Sequence, residues 1–217
     1  LGKEKLFSYI DKFGFGKKTG IDLNGESSGI IFNLDKVGPV ELATTAFGQG
    51  VSVTPIQQIT AVSAAINGGT LYKPYVVKSL NEPVTNTVVK QNEPTKVRTV
   101  ISEETSKKVR EALESVVTNG TGRPAYIEGY RVGGKTGTAQ KVQNGRYMVG
   151  NYIVSFIGFL PADDPEIIVY VAVDNAKGVT QYGGTIAAPI AKNVLTDAIS
   201  ILNIKKRNTT TEKKYNY

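Results

Sequence analysis

Three strand-like apolar runs follow one another in the second half of the sequence, separated only by short turns. They extend from Tyr130 to Val142, from Tyr152 to Leu160 and from Ile167 to Asp174. The connections contain Asn144-Gly145 and Ala162-Asp163-Asp164-Pro165, both strong turn signals. Because parallel neighbours need a crossover of roughly a dozen residues or more, connections this short predict an antiparallel meander.

Helical patterns flank this meander, so the predicted fold class is α+β, an antiparallel sheet covered by helices. Thr54-Pro55-Ile56-Gln57 has the capping residues of a helix start, and a helix of small apolar residues follows it. Further helices are predicted from Ser102 to Asn119 and from Ala187 to Leu202, the latter with Pro189 in its first turn. In the last helix we expect these residues to face the core: Ile190, Val194, Leu195, Ala198, Ile199 and Leu202.

The two ends of the chain carry weaker signals. Leu6, Ile10 and Phe13 predict an N-terminal helix already under way at Leu1, which is typical of a piece of a longer protein. Residues 14 to 40 contain too many glycines for regular structure and predict a long connection. We assign residues 1–204 to one incomplete domain. Residues 205–217 form a basic polar tail that we expect to be disordered rather than to bind nucleic acid.

The composition limits the chemistry. Among 217 residues there is no histidine and no cysteine, which excludes histidine-activated nucleophiles, thiolates and the usual zinc ligand sets. Covalent catalysis would therefore need serine or threonine, with lysine as base. We predict no metal and no cofactor. No apolar run reaches the roughly 18 to 20 residues of a membrane span.

The first predicted strand contains a sequence with two possible interpretations. Gly129, Gly134, Lys135 and Thr136 have the spacing of a phosphate-binding loop, and the run from Ile167 to Asp174 resembles the strand whose aspartate holds magnesium. A phosphate loop follows a strand and opens a helix, whose amide groups face the anion. Here a hairpin pattern follows instead, so nucleotide binding is a remote alternative.

As a strand, the same residues suit an acyl-serine enzyme. Alternation sends Lys135 to one side and Thr136 and Thr138 to the other, while Gly134 and Gly137 leave the backbone open to a ligand. A lysine ammonium and threonine hydroxyls can bind a carboxylate. A main-chain N–H can stabilise an oxyanion, a contribution of about 3 kcal/mol in such sites.

Several separate segments, in this order, support one resemblance: Phe13 to Leu23, Phe47 to Pro55, Gly68 to Pro74, Gly120 to Ala125, the Lys-Thr-Gly strand, and Tyr182 to Gly184. The chain resembles the C-terminal portion of the transpeptidase domain of class B penicillin-binding proteins, which crosslink bacterial peptidoglycan. The resemblance covers nearly everything from Leu1 to about Leu202. It implies the penicillin-binding protein and β-lactamase-like fold, with five antiparallel strands, two of which precede the nucleophile.

The family implies a site of three parts: Ser-x-x-Lys with the nucleophile, Ser-x-Asn, and the Lys-Thr-Gly strand. The 217 residues contain no Ser-x-x-Lys. Ser79-Leu80-Asn81 has the residue types of Ser-x-Asn, but it comes well after the family's position for that motif. We therefore treat the match as a coincidence. No catalytic side chain is therefore expected in this chain. The serine and lysine are expected upstream, and the chain alone is expected to be inactive.

By resemblance, Lys135, Thr136, Gly137 and Thr138 form the substrate-binding strand, and the Thr138 amide contributes to the oxyanion hole. The implied partners are peptidoglycan stem peptides, β-lactams, the missing N-terminal part of the domain and cell-wall synthesis proteins, with no nucleic acid. The implied location is the extracytoplasmic face of the bacterial cytoplasmic membrane. A non-catalytic module that binds wall peptides or serves as a scaffold is the alternative from another class.

Overall fold

The computed structural model describes residues 1–207, which fall into two compact units. The first unit comprises residues 1–103 and the second begins at residue 104. Each unit is described by itself.

The first unit consists of short helices and two small sheets: α1 (Lys3–Lys12), a 3₁₀ turn (Leu34–Lys36), α2 (Pro39–Ala46), α3 (Pro55–Ile66), β1 (Thr70–Lys73), β2 (Ser79–Asn81), β3 (Val88–Gln91) and β4 (Thr95–Thr99). Strand β1 pairs with β4 and β2 with β3, both antiparallel. A small core forms where Ala64, Leu71 and Val100 pack together with Phe13 and Ile101.

The predicted start of α3 is confirmed. The Thr54 hydroxyl accepts from the Gln57 amide, while the Gln57 side chain accepts from the Thr54 amide at 2.9 Å. The buried Gln57 Nε2 also donates to the backbone oxygens of Lys17 and Ser28, at 2.7 and 2.9 Å. Gln57, the capping-box partner of Thr54, therefore also holds the glycine-rich segment in place.

Helix α2 is a departure from the predicted long connection. Gly38-Pro39 lies within the predicted connection, but Pro39 occupies the first turn of the helix and the Glu41 carboxylate accepts from the Gly38 amide at 3.0 Å. Proline tolerates this position because the first-turn amides have no intrahelical partner. The rest of residues 14–38 is irregular apart from the 3₁₀ turn and one isolated bridge, Ile30 to Ser52.

The second unit contains the predicted meander: α4 (Glu103–Asn119), a 3₁₀ turn (Arg123–Ala125), β5 (Gly133–Gln143), β6 (Arg146–Leu160), β7 (Ile167–Asp174) and α5 (Gly183–Leu202). The strand order is β5-β6-β7 and both pairs are antiparallel, which confirms the prediction. Helix α5 packs on this sheet around a core that includes Val117, Val132, Phe156, Leu160, Ala187, Ala191, Leu195 and Ile199.

Helix α5 starts four residues before the predicted helix, so Pro189 lies inside it rather than in its first turn. The predicted core face was wrong in part. Leu195 and Ile199 are buried, but Ile190, Val194 and Leu202 are more than two-fifths exposed. Alanines at 187, 188 and 191 complete the buried face, because small side chains allow the helix to approach the sheet closely.

Within residues 1–207, α5 is the one helix with the length and hydropathy of a membrane span, 20 residues at a mean hydropathy of 1.2. One face of α5 packs against the sheet, and 28% of the apolar window is buried. Beyond it, the Arg207 amide donates to the Gly129 oxygen at 2.9 Å. Most of the tail predicted to be disordered, residues 208–217, lies outside the described residues.

Candidate active-site strand

The Lys-Thr-Gly residues lie on β5, an edge strand of the sheet. Lys135, Thr136, Gly137 and Thr138 pair in register with the β6 residues from Ile157 back to Val154. Since β5 has a sheet neighbour on one side only among residues 1–207, its outward amide and carbonyl groups are available to an extended ligand. The strand continues to Gln143, so the helix that a phosphate loop requires does not follow Thr136.

The two faces of β5 differ. Opposite residues in antiparallel strands share a face, so Thr136 and Thr138 lie on the face of Phe156, toward α5. Lys135 lies on the other face, as predicted. Its side chain is exposed and its ammonium donates to the Thr136 carbonyl at 2.8 Å. Thr138 is also exposed, whereas Thr136 is half-buried.

The glycines of this strand lie close to side chains of β6 rather than beside an open path for a ligand. A Cβ on Gly134 would lie 2.4 Å from the Phe156 ring, and one on Gly137 would lie 2.5 Å from the Ser155 hydroxyl. Both distances are far below van der Waals contact. This differs from the expectation that Gly134 and Gly137 leave room for a bound molecule, because their own neighbours in β6 occupy that room.

The first residues of α5 pack directly against the Lys-Thr-Gly strand. A Cβ on Gly183 would lie 2.2 Å from the Ser155 oxygen and 2.7 Å from the Gly137 oxygen, and one on Gly184 would lie 2.5 Å from the Thr121 oxygen. The Thr121 and Thr136 hydroxyls are 3.1 Å apart. Thr121, Ser155 and Gly183 are therefore neighbours of the site that residue patterns alone did not single out. Only the family resemblance covered the segments of Thr121 and Gly183.

A buried ion-pair network fixes the chain just before β5. Arg131 Nε and Nη2 donate to the two Glu114 carboxylate oxygens at 2.9 and 2.7 Å, and Arg131 Nη1 lies 3.2 Å from Asp163 Oδ2. Glu114 is 2% exposed. The hydrogen bonds to Glu114 raise the pKa of the Arg131 guanidinium above its ordinary value. The network joins α4 to the residues just before β5 and to the turn between β6 and β7.

A second set of contacts lies at the C-terminal end of β5 and at the hairpin between β5 and β6. The Gln181 side chain accepts from the Tyr152 amide at 3.2 Å and donates to the Gly150 oxygen at 2.9 Å. Lys141 on β5 pairs with Asp174 at the end of β7 at 2.7 Å. The segment leading into α5 is thereby tied to β6, and the far end of β5 is tied to the end of β7.

The remaining candidates lie elsewhere. Ser79-Leu80-Asn81 forms β2 in the first unit, where Ser79 pairs with Gln91. Within residues 1–207 no group of three or more histidine, cysteine, aspartate or glutamate side chains could hold a metal ion. The arrangement on β5 thus supplies a cation, hydroxyls and an exposed backbone edge.

Comparison with known proteins extends over nearly the whole chain. A family model described as the penicillin binding protein transpeptidase domain matches residues 1–196. Stage V sporulation protein D of Bacillus subtilis is 65% identical over 217 residues, which is 100% of this chain and 34% of that protein. The probable peptidoglycan D,D-transpeptidase PenA of Neisseria meningitidis is 32% identical over 94% of this chain and 33% of its own length. The chain therefore spans about a third of the length of these curated relatives.

Solved structures give the same result for the fold. Penicillin-binding protein 3 of Mycobacterium tuberculosis, in complex with ampicillin, superposes with a TM-score of 0.86 at 30% identity, covering 97% of this chain and 48% of that one. Its complex with aztreonam also gives a TM-score of 0.86, covering 96% of this chain and 48% of that one. The transpeptidase domain of penicillin-binding protein 3 from Burkholderia pseudomallei gives 0.83 at 29% identity, covering 96% of this chain and 60% of that one.

Proposed function

Because this chain belongs to the penicillin-binding protein transpeptidase family, we propose that β5 is the substrate-binding strand of a serine-type peptidoglycan D,D-transpeptidase. The observation that carries the proposal is the edge position of β5, with Lys135 and Thr138 exposed on opposite faces of it. An extended peptide that ends in a carboxylate can pair with such an edge and find a cation and hydroxyls beside it.

Each of the four residues has a role in this proposal. The Thr136 and Thr138 hydroxyls hold the terminal carboxylate of a D-Ala-D-Ala stem peptide or of a β-lactam, and Lys135 supplies positive potential. The Thr138 amide is one donor of the oxyanion hole. Gly137 permits the close contact with Ser155 of β6.

The acylation chemistry belongs to residues outside these 217. Since the sequence contains no Ser-x-x-Lys, the nucleophilic serine and its lysine base are contributed by an upstream part of the same domain. Lys135 is not the general base. The upstream serine oxygen bonds to the carbonyl carbon of the penultimate D-Ala, the peptide bond to the terminal D-Ala breaks, and that D-Ala leaves with a proton on its nitrogen. With a β-lactam the ring C–N bond breaks and the leaving nitrogen stays attached. Until the bond breaks, β5 holds the terminal carboxylate and the carbonyl oxygen.

The proposed partners and location follow from the same reaction. The substrates are peptidoglycan stem peptides, β-lactams react as their analogues, and other cell-wall synthesis proteins work beside the enzyme. The reaction takes place at the extracytoplasmic face of the bacterial cytoplasmic membrane. Identity of 65% to stage V sporulation protein D favours a role of the whole protein in spore formation.

A hybrid protein tests the proposal. In this hybrid, the chain replaces the 65% identical segment of Bacillus subtilis stage V sporulation protein D. We expect fluorescent penicillin to label the hybrid and the hybrid to restore heat-resistant spores in a strain that lacks the native protein. The 217-residue chain alone should remain unlabelled.

Two substitutions make the test specific to β5. Thr138→Val should lower the acylation rate about tenfold to a hundredfold, because hydrogen bonds to charged groups contribute about 1.5–3 kcal/mol. Lys135→Ala should lower it by at least a comparable factor. Lys107→Ala, an exposed lysine on α4, is the matched control and should leave labelling unchanged. A folded hybrid whose labelling is unchanged by both β5 substitutions would contradict the role of β5. A folded hybrid that penicillin does not label would favour a non-catalytic wall-peptide module.

A further inference from the structure

The loop after α4 places a second hydroxyl beside the proposed substrate-binding strand. Thr121 Oγ1 lies 3.1 Å from Thr136 Oγ1, and either oxygen can be the donor. We infer that Thr121 is a positioning residue, whose hydroxyl donates to Thr136 and so directs the Thr136 proton toward a bound carboxylate. This inference rests on the proposed function, in which Thr136 helps to hold the carboxylate of the acyl donor.

The backbone around Thr121 holds its hydroxyl in place. The Gly120 and Gly122 amides both donate to the Val116 oxygen, at 3.1 and 3.0 Å, and close the end of α4. A Cβ on Gly184 would lie only 2.5 Å from the Thr121 oxygen, so the first turn of α5 packs on the Thr121 backbone from the other side. Thr121 is thus positioned by two helices rather than by a free loop.

A bound carboxylate would set the direction of the hydrogen bond between Thr121 and Thr136. A threonine hydroxyl carries one proton and two acceptor lone pairs. If Thr136 donated to Thr121, only its lone pairs would face a carboxylate, and two acceptors repel each other. If Thr121 donates, the Thr136 proton is left for the carboxylate, and hydrogen bonds in series strengthen one another. A bound carboxylate therefore selects the arrangement in which Thr121 is the donor.

This arrangement favours acyl donors with an ionised end. A carboxylate accepts a stronger hydrogen bond than a neutral ester, so it gains more from a hydroxyl that is already oriented. Thr121 should consequently affect reaction with a penicillin more than reaction with the methyl ester of the same penicillin. A residue that only stabilised the fold would affect both reactions equally.

The experiment measures the second-order acylation rate constant of the hybrid with the penicillin and with its methyl ester. Thr121→Val should lower the rate with the penicillin about threefold to tenfold, the range of one hydrogen bond, and lower the rate with the ester by a smaller factor. Thr121→Ser keeps the hydroxyl and should retain the rate. In a Thr136→Val background, Thr121→Val should have no further effect, because the two residues act as one unit.

Thr196→Val is the matched control, since the exposed Thr196 hydroxyl donates to the Lys192 oxygen of its own helix at 2.8 Å. It should change neither rate. Equal losses with the penicillin and the ester on Thr121→Val, or full additivity with Thr136→Val, would overturn the inference for Thr121. If Thr136→Val and Thr138→Val themselves left the penicillin rate unchanged, the proposed function would fail instead.

Discussion

Glycine at position 183 lies where any side chain would overlap the backbone of the sheet. The nearest atoms to an added Cβ are the Ser155 and Gly137 oxygens, at 2.2 and 2.7 Å, and backbone atoms of paired strands cannot move aside individually. The φ angle of Gly183 lies outside the positive range that favours glycine, so the constraint is steric contact rather than conformational freedom. Residue 183 thereby sets the distance between α5 and the Lys-Thr-Gly strand.

Gly183→Ala should therefore destabilise the hybrid and displace β5. Overpacking of this kind costs about 1–3 kcal/mol or more, which corresponds to a fall in Tm of about 2–4 °C per kcal/mol for a domain of this size. Thermal unfolding measures the change, and penicillin acylation should slow as well. Thr185→Ala, at an exposed position in the same turn, is the control and should leave both unchanged. An unaltered Tm for Gly183→Ala would contradict the close contact.

The ion pair between Glu114 and Arg131 should contribute to the free energy of unfolding. Because Glu114 is almost fully buried and binds Arg131 through both oxygens, Glu114→Ala leaves a guanidinium without its main partner. Breaking a buried pair from one side costs about 3–5 kcal/mol. Urea unfolding of the hybrid checks this value, with the exposed Glu111→Ala on the same helix as control. A loss as small as that of Glu111→Ala would show that the network contributes little.

At the scale of elements, the sequence predicted what depends on local patterns and missed what depends on contacts. The meander was predictable because its turns are short, and α3 because Thr54 and Gln57 cap it. The start of α5 at Gly183 rather than Ala187 was not predictable, because glycine is a poor helix former and the close contacts of Gly183 and Gly184 with Ser155, Gly137 and Thr121 are tertiary. Strands β2 and β3 were missed since they have three and four residues, nearly all exposed, with no apolar alternation.

The glycine-rich segment before α2 is held by carboxylates, which makes its stability depend on pH. The Asp22 carboxylate accepts from the Val76 and Val77 amides at 2.8 and 2.9 Å. These hydrogen bonds hold the pKa of Asp22 below its ordinary value. The stabilisation is therefore present above the unfolded pKa of about 3.9 and is lost as the pH falls through the lower folded pKa.

We expect hydrogen-exchange protection of the Val76 and Val77 amides, corrected for intrinsic rates, to be constant at neutral pH and to fall in the acid range below about pH 4. In Asp22→Asn the side chain cannot titrate, so protection should be weaker and independent of this carboxyl. Protection that rises on acidification, or the same acid loss in Asp22→Asn, would contradict the role of Asp22.

At the scale of the molecule, β7 has a pairing partner on one side only among residues 1–207. An unpaired edge of apolar strand residues is a template for association between chains. We expect the 217-residue chain alone to be poorly soluble, associated or partly unfolded, whereas the hybrid should be well folded. Light scattering and thermal unfolding distinguish these states. A sharp cooperative transition from a monomer of the isolated chain would contradict the expectation.

The roles of the site residues depended on family resemblance more than on local pattern. Lys135, Thr136 and Thr138 could be placed on one strand from the sequence, but their chemistry was assigned from the family. Thr121 and Gly183 reach the strand through tertiary contacts between residues far apart in the chain. No periodicity or turn signal reports such contacts, so the structure was needed to find how they support the site.

The most direct test of the substrate-binding strand is a crystal structure of the hybrid acylated by a penicillin. We predict that the carboxylate lies within hydrogen-bonding distance of the Thr136 and Thr138 hydroxyls, with the acyl oxygen on the Thr138 amide. A penicillin that acylates the protein while its carboxylate binds away from β5 would contradict the account.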